Sequence, residues 1–349
     1  MARALQLAAR GLYTTTPNPR VGCVIVKDGA VIGEGWHQRA GEPHAEVHAL
    51  AAAGDAARGA TAYVSLEPCS HHGRTPPCTE ALIRAGVARV VAAMRDPNPM
   101  VAGGGIGMLT LAGITAEVGL LEADARALNP GFVSRMSRGR PWMRLKTAAT
   151  LDGKTALANG QSQWITGEAA RADVQRLRAR ACAILTGSDT VLADDPRMNV
   201  RDLDIGRQPL RVVVDSALRT PASAAILPAL VVCHHADAAK RTALEHAGAE
   251  VVELPGADGR VELPALLTLL ARRGVNEVHV EAGAALNGAL LAAGLVDEWI
   301  AYIAPMAVGD AARGLFVRTP LESLADAARF RFVDVHQLGG DLRLTLRPA

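Results

Sequence analysis

Short apolar runs alternate with helical stretches along the chain, and this alternation is the strongest constraint on its fold. Turn and helix-end signals separate the segments, among them Asp28-Gly29, Gly54 and Gly86. In the first part of the chain we predict strands over 21–26, 30–36, 60–66, 88–94 and 114–118 and helices over 2–10, 44–53, 79–84 and 108–112. Strands that alternate with helices are typical of a layered α/β sheet, so we predict the α/β class.

A polar, basic segment, SRMSRGRP over 134–141, interrupts the alternation. It carries Gly139 and Pro141, which favour the end of a helix followed by a linker. The 349 residues are also many for one ordinary domain. We therefore predict two domains, 1–140 and 141–349. In the second we predict strands over 142–148, 183–185, 210–214, 230–233, 278–280 and 299–303, helices over 169–180 and 263–273, and two C-terminal strands around Gly339-Gly340.

Composition argues against several classes of protein. Charged residues are 21% of the chain, the formal net charge is +2 and aromatic residues are 3%, which argues against nucleic-acid binding. The five cysteines are an odd number on a long chain, which favours a reducing compartment over a disulfide scaffold. We find neither a signal peptide nor an uncharged run of the ~20 residues that a membrane span needs. We expect a soluble, cytoplasmic protein that binds no membrane.

Four chemically reactive side chains lie at the ends of predicted elements. His44 and Glu46 open a helix, Cys69 follows a strand in Glu67-Pro68-Cys69, and Cys78 begins another helix after two prolines. One His and two Cys ligands leave a fourth position open, as in a catalytic zinc site. Zinc lowers the pKa of a bound water to ~7, and Glu46 is placed to shuttle the proton. This pattern predicts a zinc-dependent deaminase with His44, Cys69 and Cys78 as ligands.

The spacing leaves alternatives open at this point. Eight residues separate the two cysteines, whereas the general zinc-deaminase signature has two. His71 and His72 are rival ligands in the intervening loop, and His48, four residues after His44, would suggest a two-histidine site. The remaining cysteines lie in apolar runs and are expected in the core: Cys23, Cys182 and Cys233.

Three further motifs are weak by themselves. The strand ending at Glu281-Ala282-Gly283 leads through 284–287 to Gly288 and a helix, which is a possible phosphate position. The glycine-rich segment 103–107 looks like a phosphate loop, but it follows no clear strand end and we interpret it as a flexible turn. Asp194-Asp195-Pro196 is interpreted as a turn with a cofactor contact, not as a metal site.

Over nearly its whole length the chain resembles the bifunctional riboflavin-biosynthesis deaminase–reductase family. The matching segments include the wide cysteine spacing, and they are TPNPRVGCVIVKDG (16–29), GEPHAEVHAL (41–50), LEPCSHHGRTPPC (66–78), SQWITG (162–167), ILTGSDTVLADDPRMNVR (184–201) and VHVEAGAALNGALL (278–291). The resemblance implies a cytidine-deaminase-like α/β/α sandwich followed by a dihydrofolate-reductase-like α/β domain.

The resemblance also implies the reaction. The first domain would deaminate 2,5-diamino-6-(5-phosphoribosylamino)pyrimidin-4(3H)-one to 5-amino-6-(5-phosphoribosylamino)uracil, with one zinc per chain. Glu46 would be the proton donor and Asn18 would contact the pyrimidine. The second domain would reduce the ribosyl group to ribityl with NADPH. A homo-oligomer is expected from the same resemblance.

The family pattern implies two sets of residues in the second domain. The cofactor positions are Ala148, Trp164, Thr190, Asp194, Ser216, Gly283, Ala284, Ala285, Leu286, Asn287, Gly288 and Ala289. The substrate positions are Ser162, Arg178, Met198, Arg201 and Glu281. Arg178 and Arg201 suit a substrate that carries a phosphate, because arginine binds phosphate through two parallel hydrogen bonds. We expect Met198 to contact the substrate through its backbone.

Two other functions remain open. A deaminase acting on a base in nucleic acid would need a basic surface with aromatic stacking residues, and the composition does not favour it. A non-catalytic regulator could retain the zinc fold, but it would not need Glu46 and an open metal position.

Overall fold

Two units make up the chain, Met1–Arg140 and Pro141–Ala349. The computed structural model describes residues 1–71, 76–99 and 101–349. Within these residues, every helix is too short or too polar to cross a bilayer.

The first unit is built on a five-stranded sheet with the order β2-β1-β3-β4-β5. Strand β1 is antiparallel to β2 and β3, and β3, β4 and β5 are parallel to one another. The elements are α1 Ala2–Ala9, β1 Gly22–Lys27, β2 Ala30–Trp36, α2 Ala45–Ala53, β3 Thr61–Val64, α3 Cys78–Ala85, β4 Arg89–Ala92, α4 Gly104–Leu111, β5 Thr115–Val118, α5 Glu122–Leu128 and α6 Pro130–Arg138.

Alternate residues of β1 pack on opposite faces of this sheet. Cys23 and Ile25 lie in a core with residues of α2, α3 and α4, whereas Val24 packs against α1 on the other face. This arrangement follows from the two-residue period of a strand. Helices therefore cover both faces, which confirms the α/β/α sandwich.

Small residues place α2 directly against the first hairpin. Ala45 and Ala49 of α2 are fully buried, and β2 presents Gly33 and Gly35 to them. A Cβ at Gly35 would lie 2.4 Å from the Ala45 carbonyl oxygen, and one at Gly33 would lie 2.2 Å from that of Ala49. Glycine is therefore required at both positions, and the close approach sets where α2 begins.

The second unit has a nine-stranded sheet, β11-β10-β9-β8-β12-β6-β13-β16-β15, and a two-stranded sheet, β14-β7. The large sheet is parallel from β11 to β13, and β16 and β15 continue it antiparallel. The elements are β6 Trp142–Thr150, β7 Lys154–Ala156, α7 Glu168–Arg180, β8 Ala183–Gly187, α8 Ser188–Asp194, β9 Leu210–Val214, β10 Leu230–Cys233, α9 Ala238–His246, β11 Glu250–Glu253, α10 Leu263–Arg272, β12 Glu277–Val280, α11 Ala284–Ala292, β13 Glu298–Ala304, β14 Arg313–Gly314, β15 Phe330–Leu338 and β16 Asp341–Pro348.

Each face of the large sheet has its own core. Leu185 of β8 and Leu230 of β10 pack with Leu266 and Leu270 of α10 on one face. Ile184, the neighbour of Leu185, lies on the other face in a core that includes residues of α8 and α9. The unit therefore also has helices on both sides of a mostly parallel sheet, as in other α/β folds.

The glycine-rich segment 103–107 is not a flexible turn, and that prediction is wrong. Gly104 begins α4, with Gly103 in the left-handed region at φ 79°. The Glu67 carboxylate accepts hydrogen bonds from the backbone N–H groups of Gly103 and Ile106, both at 3.1 Å. A carboxylate at a helix N-terminus satisfies N–H groups that have no partner within the helix. Glu67 thus occupies the position that a phosphate would need.

Helix α11 begins at Ala284, four residues earlier than the sequence suggested. Gly288 therefore lies inside the helix, where glycine is unfavourable by itself. The packing explains it, because a Cβ at this position would lie 1.9 Å from the Val317 carbonyl oxygen. Sequence reasoning also missed shorter elements, including α8 and α9.

Substitutions at two of the glycines of α4 are expected to have opposite effects on stability. A Cβ at Gly105 would lie 1.9 Å from the Pro68 carbonyl oxygen, whereas one at Gly107 would meet nothing within 4 Å. Gly105→Ala should lower the free energy of unfolding by roughly 1–3 kcal/mol through overpacking. Gly107→Ala, the matched control, should raise it by up to about 1 kcal/mol through helix propensity. Urea unfolding of the full chain measures both, and equal shifts would contradict the packing argument.

Candidate functional site

Three element ends converge in the first unit. His44 is the N-cap residue of α2, Cys78 is the first residue of α3, and Cys69 follows β3. His44 Nδ1 lies 3.2 Å from Cys78 Sγ and 3.6 Å from Cys69 Sγ. The three ligand atoms all lie within 4.8 Å of one another, and no other metal-binding group of this kind occurs among the described residues.

The ligand set fits a zinc ion. The backbone N–H of Cys78, at the start of α3, donates to Cys69 Sγ at 3.3 Å. Hydrogen bonds from the Cys78 thiol and from His44 lower the pKa of the Cys69 thiol to about 4. The Cys69 sulfur is therefore readily ionised, and one nitrogen with two sulfur ligands is a donor set that zinc accepts. Three protein ligands leave a fourth position for a reacting molecule.

Glu46 lies beside this centre on the first turn of α2. Its side chain is buried, and its Oε2 atom makes no hydrogen bond with any described residue. Burial and the nearby Cys69 raise the pKa of the carboxyl group. A buried oxygen without a partner is costly, which indicates that it meets a group absent from the protein itself. Glu46 is thus suited to hold a proton at the centre.

Asn18 reaches the centre through a residue that sequence reasoning missed. Asn18 Nδ2 lies 3.0 Å from Nε2 of His37, and the His37 ring packs edge-on against His44 with 5.2 Å between centroids. The Pro43 carbonyl oxygen lies 3.2 Å from His37 Nδ1. The available signal was a histidine directly after the second strand, on the segment that precedes His44.

The rival ligands stand apart from the described metal-binding group. His48 Nε2 is buried without a hydrogen-bond partner among the described residues, and His71 is exposed. His72 lies outside the described residues. Of the other cysteines, Cys23 and Cys233 are fully buried in apolar cores, as expected, and Cys182 packs partly buried against the core of the second unit.

The second unit contains a cavity of about 320 Å³ at the carboxyl ends of β8, β9 and β12. Half of the cofactor positions implied by the sequence line it: Thr190, Ser216, Gly283, Ala285, Leu286 and Ala289. Gly283 is the N-cap residue of α11, and no side chain caps that helix. Uncapped N–H groups at a helix N-terminus suit a phosphate.

The other implied cofactor positions lie elsewhere in the unit. Ala284 is the first residue of α11, and Asn287 on the same helix donates to the Ala282 carbonyl oxygen at 3.1 Å. Asp194 is exposed at the end of α8, where Asp195 accepts a hydrogen bond from the Ala225 N–H. Gly288 packs against the backbone of Val317, Ala148 packs on β6 near Tyr302, and Trp164 lines a second cavity of about 150 Å³ together with Ser162.

Three of the implied substrate positions form one cluster. Arg178 Nε and Nη2 donate to the two Glu281 carboxylate oxygens at 2.5 and 2.9 Å. Met198 is buried, with its sulfur 3.8 Å from Arg178 Nη2. The Glu281 carboxylate therefore already binds the face of Arg178 that was expected to bind phosphate. Arg201 differs, because its exposed guanidinium makes no hydrogen bond or ion pair with the described residues.

Lys146 was missed although the sequence carried a signal. Arg144 and Lys146 alternate with apolar residues in β6 and so face the same side of the sheet. Burial lowers the pKa of the Lys146 ammonium group, and Glu281 opposes that shift. Burial by itself would raise the pKa of Glu281, but Arg178, His279 and Lys146 outweigh it and hold the pKa well below its usual range.

Comparisons with known proteins agree with the division of the chain into two units after residue 140. Residues 1–94 match the family model of the cytidine and deoxycytidylate deaminase zinc-binding region, and residues 141–344 match that of the RibD C-terminal domain. The riboflavin biosynthesis protein RibD of Escherichia coli is 52% identical over 358 residues, covering 99% of this chain and 98% of that protein.

Solved structures give the same result. Acinetobacter baumannii RibD aligns with a TM-score of 0.93 at 49% identity, covering 100% of this chain and 97% of that one. A diaminohydroxyphosphoribosylaminopyrimidine deaminase/5-amino-6-(5-phosphoribosylamino)uracil reductase of Thermotoga maritima aligns with a TM-score of 0.86 at 33% identity, with the same coverage.

The fold and the two sites thus define a two-domain enzyme, a deaminase with a zinc-binding region joined to a reductase. The chain belongs to the RibD family, the bifunctional deaminase–reductases of riboflavin biosynthesis.

Removal of one thiolate tests the metal centre. Cys78→Ser should reduce the bound zinc from about one ion per chain to a small fraction, because three protein ligands hold the metal in such a site. Elemental analysis of the purified full chain measures this content. Cys23→Ala, which changes a buried cysteine of the same unit, should retain the metal. A metal content unchanged by Cys78→Ser would exclude that residue as a ligand.

Proposed function

We propose that the first domain, residues 1–140, hydrolyses the 2-amino group of 2,5-diamino-6-(5-phosphoribosylamino)pyrimidin-4(3H)-one. The second domain, residues 141–349, would then reduce the ribosyl group of the resulting uracil with NADPH. The observation that carries the proposal is the cluster of His44, Cys69 and Cys78 with the buried, unpartnered Glu46 oxygen beside it. The Thermotoga maritima relative, whose name contains both substrates, supports their assignment.

In the deaminase site, His44, Cys69 and Cys78 would hold the zinc ion, and Glu46 would move protons. Zinc supplies a water nucleophile that is activated at neutral pH. Glu46 would accept the two protons of the attacking water one after the other, and it would pass one to the ring nitrogen and one to the amine, which leaves as ammonia. Asn18, held by His37, would orient the pyrimidine. The net change replaces the amino group at C2 with oxygen.

In the reductase site, the implied cofactor positions would hold NADPH, which supplies a hydride. The uncapped N-terminus of α11 at Gly283 suits the cofactor's pyrophosphate. Reduction at the ribosyl C1′ breaks the bond to the ring oxygen, and that oxygen takes up a proton. Lys146 carries an ammonium of lowered pKa near the ionised Glu281 carboxylate, so the Lys146 ammonium is placed to supply the proton. The cytoplasmic location and the homo-oligomer remain predictions.

Substitution of Glu46 tests the proton shuttle. Glu46→Gln keeps the shape of the side chain but cannot accept the proton, so deaminase turnover should fall by roughly 10²–10⁴-fold. Ammonia release from the diaminopyrimidine measures it. Zinc content and NADPH oxidation with the deaminated substrate should stay unchanged. Asp55→Asn, which neutralises an exposed carboxylate of the same unit, is the control, and full turnover in Glu46→Gln would refute the assigned role.

Substitution of Arg201 tests the substrate phosphate site. Arg201→Ala should raise the KM of the reductase for its phosphorylated substrate by about tenfold or more, because a charge-assisted contact is lost. The dephosphorylated riboside should show no such increase, since it lacks the group that the guanidinium would bind. Arg331→Ala, an exposed arginine on β15, serves as control. Equal effects on both substrates would place the phosphate elsewhere.

A further inference from the structure

The 320 Å³ cavity has two chemically different ends. The N-terminus of α11, with Gly283 and Ala285, forms one side at the end of β12. The other side contains two basic residues, Arg219 on the segment after β9 and Arg260 on the segment between β11 and α10. Neither arginine is among the cofactor or substrate positions that the family resemblance implies.

The charges in this part of the cavity do not cancel. Asp189 also lines the cavity, and its carboxylate accepts a hydrogen bond from Arg219 Nη2 at 2.5 Å. The same nitrogen donates to Ser188 Oγ at 2.8 Å. The Arg260 guanidinium makes no hydrogen bond or ion pair with the residues that the structure describes, so all its donors are available. Two arginines and one aspartate leave one net positive charge, which favours an anion.

The backbone around Arg260 is held by a closed turn. Arg260 donates its N–H to the Ala257 carbonyl and accepts from the Gly256 N–H at 2.8 Å. The following residue, Val261, donates its N–H to Ser216 Oγ at 3.2 Å. This bond ties the turn to the end of β9 and uses Ser216 as an acceptor. No hydrogen bond donated by the Ser216 hydroxyl occurs among the described residues, so its hydrogen is available to a ligand.

The distance between the two ends fits a dinucleotide. Strands β12, β8 and β9 are consecutive neighbours in the sheet. Two strand spacings of about 4.8 Å separate β12 from β9 by roughly 10 Å. In a nicotinamide dinucleotide phosphate, the pyrophosphate and the adenosine 2′-phosphate are joined through one ribose. A pyrophosphate at α11 therefore brings the 2′-phosphate toward Ser216, Arg219 and Arg260.

We propose that Arg260, together with Ser216 and Arg219, binds the adenosine 2′-phosphate of the reductase cofactor, and that Arg260 selects the 2′-phosphorylated dinucleotide over the unphosphorylated one. This inference rests on the proposed reductase function of the same cavity. Arginine binds a phosphate monoester through two parallel hydrogen bonds and stays charged at every physiological pH. Arg219 neutralises Asp189, which would otherwise repel the phosphate.

Equilibrium binding to the full chain tests the proposal without turnover. Titration calorimetry with NADP⁺ and with NAD⁺ gives the Kd of each. Arg260→Ala should weaken NADP⁺ binding by about 10- to 100-fold, as expected for lost charge-assisted hydrogen bonds, and change the Kd for NAD⁺ less than twofold. Arg260→Lys should recover part of the affinity, because lysine supplies the charge but not the paired donors.

Controls separate this inference from the function on which it rests. Arg272→Ala removes an exposed cation of the same unit outside the cavity lining and should leave both Kd values unchanged. If the unaltered chain prefers NADP⁺ and Arg260→Ala retains that preference, the role of Arg260 is refuted and the reductase function stands. An equal loss for both dinucleotides would also refute the selection. If the unaltered chain binds neither dinucleotide, the cofactor assignment and this inference both fail.

Discussion

Parallel pairing of short, buried strands is the interaction on which both units depend. Parallel strands place their carboxyl ends at one edge of a sheet, and α/β folds bind ligands at that edge. Cys69 follows β3 in the first unit, and Gly283 follows β12 in the second. Because most strand residues are apolar and covered by helices, Cys69 and Gly283 both lie on segments that leave the sheet.

Helix starts then determine the chemistry of each edge. His44 and Cys78 begin α2 and α3, and the glycines of β2 let α2 lie close enough to bring His44 to the thiols. A third helix start, at α4, has its N–H groups occupied by the Glu67 carboxylate. A fourth, at α11, has no side-chain cap and opens on a cavity. The same structural feature therefore serves a candidate metal centre, a structural cap and an open cavity.

Charged groups buried in the large sheet position the reductase residues. Arg144 lies between Glu277 and Glu298, with N–O distances of 3.2 and 2.7 Å, and is almost fully buried. A buried charge is tolerated when it is paired and hydrogen-bonded, and removal of one partner is strongly destabilising. Lys146 is two residues after Arg144 in β6. It lies near Glu281, which pairs with Arg178. The pairing holds the Glu281 carboxylate in one orientation where the substrate is expected.

The sequence by itself determined the α/β class, the major strands and the three candidate zinc ligands, because apolar periodicity and the residue types at element ends are local properties. His44, Cys69 and Cys78 could be named because they stand at element ends near Glu46 and because their wide spacing is that of the family the chain resembles, and the structure brings their ligand atoms together. Only the tertiary structure decided that the Glu67 carboxylate caps α4 by accepting hydrogen bonds from the N–H groups of Gly103 and Ile106. Only the structure showed that Arg178 is paired with Glu281 and that Arg260 lines the cavity at the start of α11. These contacts join residues that are far apart in the chain. Strand order and packing determine which of these distant residues meet.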